Sequence, residues 1–213
     1  MTRILPGVIA MATIVVASNI LVQFLLLDGL LTWGAFTYPL AFLVTDVMNR
    51  VYGASAARKV VFSGLVVGIL CSLVGSQIML QGDGFTYPAV ALRIAIGSAT
   101  AFLVAQLLDI AVFNRLREGS WWKAPLGSTL VGSTVDTVIF FSIAFAAVFN
   151  GLSSAAAQDV MWAQDTAPFM TTGPMMPLWV TLAVADWGVK LSIALLALLP
   201  FRLIVGRIMQ PAA

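Results

Sequence analysis

The sequence predicts an all-α integral membrane protein with six transmembrane helices and both termini on the cytoplasmic side. Three observations predict it. Of 213 residues, 61% are hydrophobic and only 9% are charged, against about 25% charged in an ordinary soluble domain. Such a chain has too few charges to cover a water-facing surface. Six stretches are apolar over roughly the 20 residues that a helix needs to cross hydrocarbon: 5–27, 34–52, 59–80, 88–114, 124–150 and 177–205. Apart from Arg93 and Lys190 inside spans, lysine and arginine cluster at alternate connections, as they do on the cytoplasmic side of a membrane protein.

The first stretch follows Arg3 and is too long for the apolar part of a signal peptide, so it reads as a retained span. The second is interrupted by Pro39, Asp46 and Asn49. It predicts a kinked or broken helix, the kind that lines cavities. The third carries Gly64, Gly68, Ser72 and Ser76, and the fourth Gly97, Ala101 and Ala105. Small residues every four positions let helix backbones approach closely in lipid. Pro-Leu followed by Asp occurs in the second, fifth and sixth spans (Pro39 to Asp46, Pro125 to Asp136, Pro177 to Asp186). That is faint support for two inverted three-helix halves.

Arg3, Arg50, Arg58, Lys59, Arg115, Arg117, Lys123, Arg202 and Arg207 all fall on one side. The opposite connections, 28–33, 81–87 and 151–176, carry Asp28, Asp83, Asp159 and Asp165 and no Lys or Arg. Trp33, Tyr38, Tyr87, Trp121, Trp122 and Trp179 lie near span ends and predict an interfacial aromatic belt. The segment 151–176 is long and rich in Met and Pro, and reads as a loose insertion rather than a lid.

Composition also excludes functions. There is no histidine, and Cys71 is the sole cysteine, so an intrachain disulfide, a His/Cys metal site and an imidazole-based triad are all ruled out. No cofactor or metal is expected. A net charge of +2 and the lack of a basic cluster argue against nucleic acid. The sequence admits a homo-oligomer without requiring one.

The informative residues are the ionisable ones inside the predicted spans: Asp46, Arg93, Asp109, Asp136, Asp186 and Lys190. Each costs at least ~2.5 kcal/mol at the bilayer centre, so each needs a partner, a cavity or a proton. At about 1.5 Å per residue, Asp46, Asp136 and Asp186 are expected to converge near the midplane, where secondary transporters bind substrate. Asp186 and Lys190, four apart on one helix face, can pair with each other. Asp46 and Asp136 have no cation within one helical turn and are the sharper binding candidates. Asp109, Arg93 and Asn49 read as gating or ion-pairing residues, with Asp109, near the inner end of its span, either a solvated or salt-bridged inner gate or a direct substrate contact. Asn19 and Gln23 face one way on the first span, and Gln106 precedes Asp109. Together they predict a polar interior for a hydrogen-bonding solute.

The sequence resembles the queuosine precursor transporter family, within the vitamin uptake transporter group. The resemblance runs through SNILVQ (18–23), TWGAF (32–36), FLVTD (42–46) with Arg50 and Gly53, and AARKVVF (56–62). It continues through RIA (93–95), QLLDIAVFNRLR (106–117), WW (121–122), APLGSTLVGSTVDT (124–137) and ADWGVK (185–190). It implies a multi-pass protein of the cell inner membrane that imports 7-deazaguanine compounds, the cyano and aminomethyl precursors of a modified tRNA base. A guanine-type edge presents two parallel donors that one carboxylate accepts together. Asp46, Asp136 or Asp186 could accept them, with Asn19, Gln23 or Gln106 completing the set, Lys190 alongside, and Phe42, Phe140 or Trp187 stacking on the ring.

Two other classes compete. A substrate-binding subunit driven by a separate ATPase would show an Ala-x-x-x-Ala docking pattern in the first helix, but Ile14 and Val16 follow Ala10 and Ala12. An intramembrane enzyme would need Asp136 and Asp186 to share a proton at close range.

Overall fold

The computed structural model describes residues 2–22, 24–27, 30–82, 84 and 86–209. Its helices are α1 (Leu5–Leu21), α2 (Gly34–Thr37), α3 (Leu40–Tyr52), α4 (Ala54–Gln77), α5 (Leu92–Leu116), α6 (Lys123–Phe145), α7 (Ser154–Gln158) and α8 (Leu178–Met209). Four of them, α4, α5, α6 and α8, are long and apolar enough to cross a membrane. The second predicted span is broken. α2 ends two residues before Pro39, and across the gap the amides of Ala41 and Phe42 reach back only three residues, to the Tyr38 and Pro39 carbonyls. Proline has no N–H to offer the preceding turn. Pro125 and Pro177 disturb nothing, because they fall in the first turn of α6 and just before α8, where proline suits a helix start.

Side-chain register sets the helix directions. On α1, Ser18 meets Thr37 while Gly7 meets Met48, so α1 opposes the α2–α3 segment. Gly64 and Gly68 of α4 pack on Met11 and Val15, which makes α4 run with α1. Thr45 and Asn49 of α3 bond Gln106 and the Ile110 carbonyl of α5, so α3 and α5 run together. α6 opposes α5, since Arg93 reaches Ile143 at one end and Gly132 packs on Ala105 further along. α8 reverses again, because Lys190 meets Asp136 while Phe201 meets Phe113. Among the described residues, six helical segments therefore alternate in direction. The predicted repeat is not mirrored in the packing: α1 lies along α4, but α5 and α8, their counterparts, share no comparable face.

One end of the bundle carries tight connections. Gly53 alone joins α3 to α4 at φ 83°, a left-handed conformation open to glycine. Here Arg50 and Arg117 donate to each other's carbonyl, and Arg202 stacks on Trp121. The other end carries three antiparallel hairpins: β1 (Leu25–Leu26) with β2 (Leu31–Thr32), β3 (Met79–Gln81) with β4 (Thr86–Pro88), and β5 (Thr166–Pro168) with β6 (Met175–Pro177).

The segment between α6 and α8 is folded, which corrects its reading as a loose insertion. Val160 and Ala163 are fully buried against Ala91, Phe141, Ala144 and Phe145. Asn150 and Gln164 exchange two hydrogen bonds. Small apolar side chains and a paired amide couple are what tie it down.

Burial is inverted relative to a soluble protein. Leu195, Leu196 and Leu199 on α8 and Leu70, Leu73 and Val74 on α4 are exposed, while Asp, Lys and Arg side chains are buried. A contiguous apolar exterior of this kind suits lipid. α5 and α6 form the most extensive contact. It depends on Gly132, where a Cβ would lie 2.8 Å from Phe42 Cε1 and 3.3 Å from the Ala105 carbonyl oxygen. Gly132→Val is expected to cost about 1–3 kcal/mol through this overpacking, read as a lower melting temperature in detergent.

Candidate functional site

The first polar cluster sits mid-bundle between α6, α8 and the α2–α3 break. Lys190 Nζ donates to Asp136 Oδ2 at 2.7 Å, ion-pairs with Asp186 Oδ2 and donates to Thr137 Oγ1 at 3.1 Å. Tyr38 Oη donates to Asp136 Oδ1 at 3.0 Å. The Thr137 hydroxyl donates to Asp186 Oδ2 at 3.3 Å, and the Trp187 indole donates to Thr134 at 3.0 Å. One ammonium thus serves two carboxylates, leaving a net charge of −1. Asp136 and Lys190 are sealed, whereas the Asp186 side chain is 17% exposed and its Oδ1 makes no hydrogen bond.

The second cluster lies two turns along α6 toward the tight-turn end, about 11 Å away at the standard helical rise. Asp46 accepts from Ser128 Oγ at 3.1 Å and from Thr129 Oγ1 at 3.3 Å. Its carboxyl faces Asp109. Both Asp109 oxygens, Asn49 Oδ1 and Gln106 Nε2 are buried without a hydrogen-bond partner. Thr45 Oγ1 holds the other end of the Gln106 amide at 2.5 Å. A cavity of about 10 Å³ opens beside Asp46, walled by Phe42, Thr129, Ala194 and Phe201. It has room for roughly one water.

Several expectations are corrected. The three carboxylates do not converge on one void. Asp136 and Asp186 meet at Lys190, while Asp46 sits in the second cluster. The depth of Asp46 was misjudged because α3 ends at Tyr52, six residues beyond it. Asp136 does have a cation, supplied by α8 rather than by its own helix. Asp109 is not a salt-bridged gate; among the described residues only Lys190 forms ion pairs. Arg93 pairs with no carboxylate. Its guanidinium donates to the Ile143 and Ala146 carbonyls and to Asn150 Oδ1, capping α6. Asn49 donates to the Ile110 carbonyl, an inter-helix tie. Asn19 donates back to Val15 on its own helix and joins neither cluster. Gln23 lies outside the described residues.

The Asp186–Lys190 pair forms as its spacing predicts. Lys190 between Asp136 and Asp186 also removes the shared-proton aspartyl dyad that an intramembrane protease needs. Of the stacking candidates, Phe42 packs on Gly132 beside Asp46, Phe140 packs on Phe141 and Phe145, and Trp187 binds Thr134.

The sequence reading missed Tyr38, taken for a belt aromatic, and the hydroxyls of Ser128 and Thr129. A signal was present. Ser128, Thr129, Ser133, Asp136 and Thr137 recur at three- and four-residue steps along one face of α6.

The family model described as "Putative vitamin uptake transporter" matches residues 32–205. "Queuosine precursor transporter" of Escherichia coli is 35% identical over 196 residues, covering 88% of this chain and 79% of that protein. "Probable queuosine precursor transporter" of Haemophilus influenzae is 38% identical over 176 residues, covering 79% of this chain and 66% of that one. No solved structure matches. With the family model spanning most of the chain, and with relatives at this identity, the protein belongs to the vitamin uptake transporter family.

Proposed function

We propose that this chain is a secondary transporter that carries queuosine precursors, 7-cyano-7-deazaguanine and its 7-aminomethyl counterpart, inward across the cell inner membrane. It is a transporter and not an enzyme. In this reading the six alternating segments are six spans, and both termini lie in the cytoplasm with Arg50, Arg117 and Arg202. That end holds the Lys/Arg-bearing connections, as the charge rule requires. The names of its relatives supply the substrate class.

One observation carries the placement of the substrate. The mid-bundle network leaves the Asp186 side chain 17% exposed, with Oδ1 accepting no hydrogen bond. A deazaguanine offers a ring N–H and an exocyclic amine side by side, and a carboxylate accepts both. Lys190 and Thr137 hold Asp186 in position, with Tyr38 on the far side of the network. The residual −1 charge also suits the ammonium of the aminomethyl compound.

Purified protein in liposomes is expected to take up labelled 7-cyano-7-deazaguanine with no ATPase present. Uptake only after co-reconstitution of an ATPase module would establish instead a binding subunit of an ATP-driven system. Asp186→Asn is expected to weaken binding about 10- to 150-fold, since a hydrogen bond to a charged group contributes about 1.5–3 kcal/mol. The fold should persist, because Lys190 keeps Asp136. Unchanged affinity in a folded variant would place the substrate elsewhere.

A further inference from the structure

We propose that Asp46 and Asp109 form a binding site for a monovalent cation, a proton or Na⁺, which couples transport to an ion gradient. The inference rests on the transporter reading for its role, and on the second polar cluster alone for its existence.

Acceptors outnumber donors there. Asp46 is 2% exposed and Asp109 fully buried. Both Asp109 oxygens and Asn49 Oδ1 have no donor, and against these three acceptors stands one unpartnered donor group, Gln106 Nε2. The Ser128 hydroxyl lies between Asp46 Oδ1 and the Pro125 carbonyl, so its one hydrogen serves both. A buried carboxylate without a cation or adequate donors is too costly to keep in an apolar interior. Among the described residues no cation fills the role. Arg50, one turn beyond Asp46, aims at the Arg117 carbonyl, and Lys190 is spent on the other cluster. α4 turns Arg58 and Lys59 outward, and α8 contributes only apolar side chains to the recess. The missing charge must come from outside the chain, and the cavity of about 10 Å³ that reaches the Asp46 side of the cluster, with Thr129 on its wall, admits a bare ion or a proton, not a heterocycle.

Position gives the site its role. Ser128 and Thr129 share α6 with Asp136 and Thr137, and Asp46 shares the broken span with Tyr38. A cation shared by Asp46 and Asp109 lowers their joint charge from −2 to −1 and draws α3, α5 and α6 together beneath the substrate network. By linkage, substrate must then tighten cation binding by the same factor.

Two readouts on substrate-free protein test the site. Calorimetric titration with NaCl, against choline chloride, reads Na⁺. Infrared difference spectroscopy in H₂O and D₂O reads the C=O stretch of a protonated buried carboxyl. One of these signals is expected in the wild type and is expected to vanish in Asp109→Asn and Asp46→Asn. Absence of both signals in the wild type overturns the proposal, and so does their persistence in both folded variants. Should either variant fail to fold, the wild-type readouts still decide. Liposome uptake separates the two readings. Uptake without either signal defeats the cation site and leaves the transporter. A cation signal without uptake does the reverse.

Discussion

Lys190→Met is expected to destabilise the protein more than any other single change at the candidate site, by about 3–5 kcal/mol, the usual penalty for stranding a buried charge. Among the described residues the ammonium is the sole cation paired with Asp136 and Asp186, and it also donates to Thr137. Its loss leaves two carboxylates in the bundle with only hydroxyl donors, Tyr38 and Thr137. Thermal unfolding in detergent should show a large drop for Lys190→Met. The triple variant Lys190→Met, Asp136→Asn, Asp186→Asn should recover much of it, because removing all the charges together removes the stranded ones. Binding of 7-cyano-7-deazaguanine should not recover, since the carboxylate acceptor is gone. If the single variant melts like the wild type, Lys190 is not what neutralises the network.

Arg93→Met is expected to release the folded segment between α6 and α8. The guanidinium makes four hydrogen bonds, two to the Ile143 carbonyl, one to that of Ala146 and one to Asn150 Oδ1. Positive charge at a helix C-terminus is favourable, and a hydrogen bond from a charged group contributes about 1.5–3 kcal/mol. Methionine fills similar space but leaves the α6 carbonyls and the Asn150–Gln164 couple without their donor. Limited proteolysis should cut within residues 146–177 several-fold faster than in the wild type. Arg93→Lys should fall between the two, because a single ammonium cannot span donors as a planar fork does. Equal cleavage of all three proteins would show that burial of Val160 and Ala163 alone holds the segment.

Within-helix features were the ones readable from the sequence. The long apolar helices α4, α5, α6 and α8, the interruption at Pro39, the Asp186–Lys190 spacing and the close packing of Gly97, Ala101 and Ala105 all depend on neighbours a turn or so away. Features made across helices were hidden. Asp136 finds its cation on α8 and Tyr38 finds Asp136 across the bundle, pairings with no local spacing to betray them. Depth misled for a related reason. Counting from Gly34 treats a broken span as a straight rod, yet the chain spends four residues on α2 before it turns, and α3 is short. The outer segment was misread because its order comes from Val160, Ala163 and the Asn150–Gln164 couple, which periodicity does not register.

The gap at Pro39 makes the second span two pieces on one swivel. The piece below is riveted to its neighbours: Thr45 to Gln106, Asn49 to Ile110, and Arg50 to Arg117. The single turn above is fastened by Ser18 to Thr37 and by Tyr38 to Asp136. Bending at the swivel sacrifices no full helical ladder, so these two latches are what keep it in place. Whatever draws Asp136 away from the Tyr38 phenol leaves the upper turn hanging on Ser18 alone among its side-chain bonds to other helices.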